Sequence, residues 1–353
     1  MSKERPNRYD RHQNKKALEK KGKAKAKSLG LSRRDPDQDI TWESFQSRET
    51  ESVSIGIVAA VRSGVFLVLG NDEYFECKLE RGIPFSLGQQ LVVGDRVQFQ
   101  SREDGNWIIG REPRKNFLAR IRGDSSRFSP GAKEEQVVAA NIDVAAIVAA
   151  AAEPRFHAGL IDRYLILCQE GGVAPVIVLN KADLTEDRDP ILGEYRNTLG
   201  IPVFETSATS GVGFKEFQEA LRGKIAVLVG NSGVGKSSLI NLLIPGQNLA
   251  AKTVSVRTGQ GRHTTTASSL YRWADGSCLI DTPGIRNLDV SQISRTSLRN
   301  YFPEFEAFQD SCKYDDCSHD HEPECGVKNA LQGNQLNQAR YESYKRILEG
   351  LID

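Results

Sequence analysis

Ile225-Ala226-Val227-Leu228-Val229-Gly230-Asn231-Ser232-Gly233-Val234-Gly235-Lys236-Ser237-Ser238-Leu239-Ile240-Asn241-Leu242-Leu243 reads as a buried strand, a glycine-rich loop and the start of a helix. The loop follows the G-x-x-x-x-G-K-[ST] pattern in the strand–loop–helix setting that pattern requires. Glycines let successive backbone N–H groups turn inward around phosphate oxygens, and the helix N-terminus adds a favourable dipole. Lys236 is placed to reach the β and γ phosphates, and the Ser237 hydroxyl to meet Mg²⁺, which takes few protein ligands and phosphate oxygens in an octahedral shell.

Outward from this loop, three further strings sit at strand ends. Asp281-Thr282-Pro283-Gly284 follows Cys278-Leu279-Ile280, where an acid can hold Mg²⁺ and the Gly284 N–H can contact the γ-phosphate. Asn180-Lys181-Ala182-Asp183 closes the apolar run Val176-Ile177-Val178-Leu179. Guanine presents N1–H and a 2-amino group side by side, so the Asp183 carboxylate accepts both, whereas adenine offers neither there. Asn180 is expected to brace the loop and the Lys181 stem to cover the ring. Thr206-Ser207-Ala208 follows the next strand, and its backbone N–H groups are expected at the guanine oxygen. Each string alone is an ordinary turn; all four together at strand ends describe a GTP site. Their order is reversed relative to ordinary GTPases, because the base-reading strings precede the phosphate loop. A circular permutation preserves the sheet while moving the chain ends.

The surroundings agree. From about residue 136, strand-like and helical runs alternate through Val229, which specifies a mainly parallel sheet with helices on both faces. Upstream, five short β-prone runs lie between Val53 and Ile109, the spacing of a small OB-type barrel. Residues 1–34 hold thirteen Lys or Arg against Glu4, Asp10 and Glu19, while the whole chain of 353 residues carries only +1. Such a tail cannot fold alone and suits a polyanion such as RNA. The charged fraction of 26% agrees with a soluble protein, no apolar run reaches the length needed to span a bilayer, and the basic N-terminus lacks the apolar core of a signal peptide, so a cytoplasmic location is expected. The expected units are a basic tail (1–50), a barrel (51–113), the permuted GTPase domain (114–287) and a Cys-rich, helix-leaning C-terminal domain (288–353).

In that last unit Cys312, Cys317, His319 and Cys325 follow the spacing C-x4-C-x-H-x5-C. Thiolate and imidazole ligands in this number fit a closed tetrahedral Zn²⁺ site, structural in role. His321 is a rival ligand by chemistry, and a disulfide set is disfavoured in a reducing compartment. Cys77, Cys168 and Cys278 fall in β or helical runs and read as buried packing residues. A helical run from Val327 to Leu348 is expected to dock on the metal region; its Arg340, Tyr341, Tyr344, Lys345 and Arg346 suit either RNA or packing on neighbouring protein.

Together with Gly94-Asp95-Arg96-Val97, Ile161-Asp162-Arg163-Tyr164-Leu165 and Gly261-Arg262-His263-Thr264-Thr265-Thr266, these strings over about residues 50–350 make the chain resemble the RsgA (YjeQ) family of small-ribosomal-subunit-dependent GTPases. The resemblance implies an OB-fold, a permuted GTPase domain and a zinc-binding C-terminal domain with His319 as the fourth ligand. It also implies late 30S maturation, 16S rRNA contact and subunit-stimulated hydrolysis; a monomer is expected. The family places residues 261–266 over the phosphates, so one of Thr264, Thr265 and Thr266 is expected on Mg²⁺, with Thr265 the candidate. Ile285 stands where many GTPases have a water-positioning Gln, which makes His263 the candidate catalytic group; a structural role for it is the competing reading. The basic tail is not part of the shared pattern. Two other functions remain open on this reading: an RNA-binding module holding GTP as a structural ligand, and a GTPase acting on another RNA partner.

Overall fold

The computed structural model describes residues 53–62, 64–80, 91–122, 134–154, 156–186, 191–245, 268–274, 276–281, 290 and 293–351. The basic tail, His263 with Thr264 to Thr266, and Gly284 lie outside the described residues.

Strands β1 (Ser54–Arg62), β2 (Val65–Gly70), β3 (Glu73–Leu79), β4 (Arg96–Arg102) and β5 (Gly105–Arg111) close into a barrel in the order β1-β2-β3-β5-β4, with β4 returning to β1. This is the five-stranded barrel the sequence predicts. The expected strand from Leu91 to Gln100 starts later, at Arg96, because Gly94 and Asp95 turn the chain. Gly94 has φ +90° and no room for a side chain, since a Cβ would lie 2.0 Å from the Ala140 carbonyl oxygen. Asp95 is fully buried and accepts from Arg114 Nε at 2.6 Å, Arg114 Nη2 at 2.9 Å and the Val92 N–H at 2.8 Å.

A hairpin of β6 (Phe117–Arg122) and β7 (Glu134–Ala140), not anticipated from the sequence, leads out of the barrel. Next come β8 (Val144–Ala150), α1 (Ala158–Gly171), β9 (Ala174–Asn180), β10 (Val203–Glu205), α2 (Phe214–Ala220), β11 (Ile225–Val229) and α3 (Lys236–Leu243). Strands β12 (Ser269–Ala274) and β13 (Ser277–Asp281) complete the sheet, in the order β10-β9-β8-β11-β13-β12, with only β12 antiparallel. All seven residues of β8 are buried: Ala145, Ile147 and Ala149 face a core shared with α1 and the C-terminal helices, while Ala146 and Val148 face α2 and α3. A strand covered on both faces needs an unbroken apolar run, which is why periodicity gives no alternation here. Chain order reverses between β8 and β11, so the loop after β11 opens into the crevice where ligands of such sheets sit.

The C-terminal region carries α4 (Gly326–Gln332) and α5 (Gln338–Glu349). The single helical run expected from Val327 to Leu348 is broken at Gly333-Asn334, and the Asn337 side chain caps α5 by accepting from the Ala339 and Arg340 N–H groups. Cys77, Cys168 and Cys278 are buried, as expected of packing residues. Among the described residues, no helix is long and apolar enough to cross a membrane.

Candidate nucleotide site and metal centre

Asn180, at the end of β9, ties three loops together. Its Nδ2 donates to the Val234 carbonyl of the glycine loop at 2.9 Å, and its Oδ1 accepts from the Ala208 N–H at 3.1 Å and from Thr206 Oγ1 at 3.4 Å. The residue is 1% exposed, so these bonds work without competition from water. Gly235 makes the clasp sterically possible. Its φ is +93°, and a Cβ there would lie 2.1 Å from Asn180 Nδ2. Gly235→Ala is therefore expected to open the clasp and weaken GTP binding at least about tenfold, the equivalent of one lost buried hydrogen bond, as read by titration with a fluorescent nucleotide.

The glycine loop presents Asn231, Ser232 and Gly233 to solvent, with Val234 turned into the core. Helix α3 starts at Lys236, and Ser237 and Ser238 are exposed in its first turn. The Lys236 ammonium donates to the carbonyls of Gly230 and Asn231, which holds it across the mouth of the loop. Val227 of β11 pairs with Ile280 of β13, which sets Asp281 one strand over from the loop's entry. An exposed hydroxyl at a helix N-terminus with a carboxylate at the adjacent strand end is a donor set that fits Mg²⁺ shared with phosphate oxygens.

On the base side, Lys181 adopts φ +61° and its ammonium donates to the Glu153 carbonyl. Ala182 N–H donates to the Thr206 carbonyl at 3.0 Å, so the two base-side loops are joined, and Asp183 is exposed at the rim. The expectation that amides of residues 206–208 are directed to the guanine oxygen is not what the structure has: Thr206, Ser207 and Ala208 donate to Leu179 O, Val212 O and Asn180 Oδ1. Sequence reasoning also missed the β8–α1 connection. It brings Glu153 to Lys181 and Pro154 beside Gly233, contacts between segments far apart in the chain that no local pattern encodes.

The second site is the Cys/His cluster. One ligand atom each from Cys312, Cys317, His319 and Cys325 lies within 4.8 Å of the others. His319 Nδ1 is 3.6 Å from Cys312 Sγ and 3.5 Å from Cys325 Sγ, and those two sulfurs are 3.9 Å apart. A tetrahedron with Zn–S of about 2.3 Å and Zn–N of about 2.05 Å has S···N edges of about 3.55 Å and S···S edges of about 3.75 Å, so the cluster fits zinc. Burial pushes the His319 imidazole down to about 4, keeping it neutral as a ligand must be, and pushes the Cys317 thiol up to about 12, a cost that a bound dication removes. Gly326 and Lys328 N–H groups point at the sulfurs of Cys312 and Cys325 and favour thiolates. His321, the rival by chemistry, is exposed and outside the cluster.

Helix α5 holds this cluster against the sheet domain. Tyr341 and Tyr344 hydroxyls donate to the His319 and Ser318 carbonyls at 2.7 and 2.6 Å. Arg340, 2% exposed, bonds the Asp162 carboxylate of α1 and reaches Glu304 through Nε at 2.7 Å. Of the two readings of this helix, its Arg340, Tyr341 and Tyr344 face is packed on neighbouring protein.

A parallel sheet with a phosphate loop at its reversal point, preceded in the chain by the loops that would read the base, defines a circularly permuted P-loop GTPase. The family model for RsgA GTPase matches residues 111–291. A small ribosomal subunit biogenesis GTPase RsgA of Azotobacter vinelandii is 39% identical over 283 residues, 78% of each chain, and one of Pseudomonas syringae pv. tomato is 37% identical over 325 residues, 89% of this chain and 90% of that protein. The crystal structure of YjeQ from Thermotoga maritima superposes with a TM-score of 0.66 at 32% identity, covering 85% of this chain and 99% of that one. YloQ, a circularly permuted GTPase, gives 0.64 at 28% identity over 85% and 95%. The chain belongs to the RsgA GTPase family and is a GTP-hydrolysing enzyme.

Proposed function

We propose that this GTPase couples GTP binding and hydrolysis to late maturation of the small ribosomal subunit, acting in the cytoplasm as a monomer that contacts 16S rRNA. The observation that carries the nucleotide half is the Asn180 clasp, which holds the base-side loops against the phosphate loop as a single buried unit. The subunit half rests on the relatives, which bear the name small ribosomal subunit biogenesis GTPase.

In this reading the amides of Gly230 through Ser238 and the Lys236 ammonium bind the phosphates, Asp183 selects guanine, and Ala182, Ser207 and Ala208 line its edge. Ser237, Asp281 and Thr265 hold Mg²⁺, and the Gly284 amide senses the γ-phosphate. When bound, Mg²⁺ neutralises charge developing on the β and γ oxygens. His263 aligns the attacking water in place of the Gln that Ile285 replaces. Cys312, Cys317, His319 and Cys325 hold one structural Zn²⁺, and the domains divide near residues 50, 113 and 287.

Phosphate release by the purified chain tests this directly. Turnover with small subunits is expected to exceed the basal rate by at least about a hundredfold, a floor set below the roughly 10³–10⁵-fold by which partner-supplied groups accelerate such enzymes, and unchanged turnover would discard the subunit as partner. Asp183→Asn is expected to weaken GTP about a hundredfold while leaving ATP binding alone, since two charge-assisted hydrogen bonds are lost only with guanine. An unchanged GTP preference in that variant would discard the base site.

A further inference from the structure

The barrel and the nucleotide sheet are physically one sheet. Ala60 of β1 pairs with Ser269 of β12, and Ser269 pairs with Asp281 at the end of β13. These three residues form a single row, with barrel backbone at one end and the carboxylate assigned above to Mg²⁺ at the other. Two contacts from the β2–β3 hairpin flank the row: Arg272 of β12 ion-pairs with Asp72 at 3.1 Å, and its N–H donates to Tyr74 Oη at 3.4 Å. The hairpin tip is stiff, because Gly70 pairs with Glu73 and the two residues between them, Asn71 and Asp72, have φ of +48° and +68°, the geometry of a tight two-residue turn.

The polar contacts of this joint lie outside a shared core, because Ala59 and Leu69 of the barrel belong to the same buried cluster as Leu270 and Ile280 of the nucleotide sheet. Ala60 and Ser269 are register partners between β1 and β12, and the Asp72 side chain is 72% exposed. An exposed ion pair contributes only about 0–1 kcal/mol to stability. Losing that pair therefore leaves the shared core folded, while a coupling between two sites needs only about 1 kcal/mol to be read.

We propose that Asp72, Tyr74 and Arg272 are positioning residues through which a partner seated on the barrel sets the Asp281 end of β13, so that barrel occupancy and GTP turnover are coupled. The inference rests on the proposed roles of Asp281 and of the small subunit. It goes beyond them by assigning the route of stimulation to one hairpin tip. A partner held rigidly on the barrel moves the β2–β3 tip, the tip carries β12 through Arg272, and the ladder between β12 and β13 carries Asp281.

Asp72→Asn keeps a residue that tolerates the left-handed turn while removing its charge. Arg272→Gln removes the other partner, and Arg272→Lys keeps the ion pair. In the full-length, metal-loaded chain, basal turnover, GDP affinity and cosedimentation with small subunits are expected to stay within about twofold of the parent for all variants. Subunit stimulation is expected to fall about fivefold in Asp72→Asn and in Arg272→Gln, to fall no further in the double variant, and to be largely retained in Arg272→Lys. Additive losses, or full stimulation in both single variants, would overturn the joint. If the parent itself is not stimulated, the reading of the partner fails, and hydrogen exchange decides the joint independently. Exchanging GDP for a non-hydrolysable GTP analogue should then alter protection in both residues 269–274 and 65–79 of the parent, and only in the former in Arg272→Gln. No nucleotide-linked change in residues 65–79 of the parent would also overturn it.

Discussion

Stripping metal from the Cys312, Cys317, His319 and Cys325 centre is expected to melt the C-terminal region while the nucleotide sheet stays folded. Coordination free energy in small zinc domains is of order 10–16 kcal/mol, and it appears directly as folding energy. Here an aromatic core supplements it: the Phe305 and Tyr344 rings lie against His319, Phe302 and Tyr341 pack on those two, and Phe305 is edge-on to Tyr344 at 5.1 Å. Leu298, Val327, Ile347 and Leu348 extend that core towards α1, and the coordination energy is the share that leaves with the metal. Cys325→Ser removes a ligand and also the sulfur that accepts from Lys328 N–H at the start of α4. Loss of zinc on elemental analysis, with a thermal midpoint lower by more than about 10 °C, is the expected result. Acid should act in the same direction. His319 titrates near 4 in the folded chain because burial, reinforced by Arg299, disfavours its charge, against an ordinary value of about 6.5. Between those values the unfolded chain binds the extra proton, so stability is full above about pH 6.5 and falls by about 3 kcal/mol as pH drops toward 4. A stability profile flat across that window would contradict His319 as a buried neutral ligand.

The second large effect is expected at Arg340. Its guanidinium bonds Asp162 and Glu304 and lies 4.5 Å from the Phe302 ring centroid and 5.5 Å from that of Tyr195, whose hydroxyl also donates to Asp162 at 2.6 Å. Burial opposes its charge, yet the two carboxylates outweigh that and hold it firmly protonated. Removing one partner from such a set leaves the others buried and uncompensated, at a cost of about 3–5 kcal/mol. Arg340→Ala should therefore lower the unfolding free energy of the C-terminal region, read from its denaturation curve, by that amount. Arg340→Lys should recover only part of the loss, because one ammonium cannot span two carboxylates as a planar fork does. A change below about 1 kcal/mol in Arg340→Ala would show that the pair does not anchor α5 to α1.

Much of the site was legible beforehand for a local reason. Phosphate binding is done by backbone amides, and a loop that exposes them needs glycines at set intervals between a strand and a helix, which sequence displays openly. Five barrel strands were likewise visible in their turn residues. Strand β12 was missed because Ser269–Ala274 is short, mixed in polarity and stabilised by its neighbours rather than by its own pattern. Strand-end amides are commonly free, which is why the sequence points those of Thr206 to Ala208 at guanine; here Leu179, Val212 and Asn180 take all three, which only the packed loops reveal.

Residue order alone determined that this chain binds a nucleotide through a permuted set of loops and gathers three thiols and an imidazole into one short segment, because both chemistries depend on neighbours within a few positions. Tertiary structure decided what Arg340 faces, which histidine joins the sulfurs, and that the barrel meets the nucleotide sheet through Ala60 and Ser269. Those outcomes rest on contacts between residues tens to hundreds of positions apart, whose strength comes from burial, and burial exists only once the chain has closed around them.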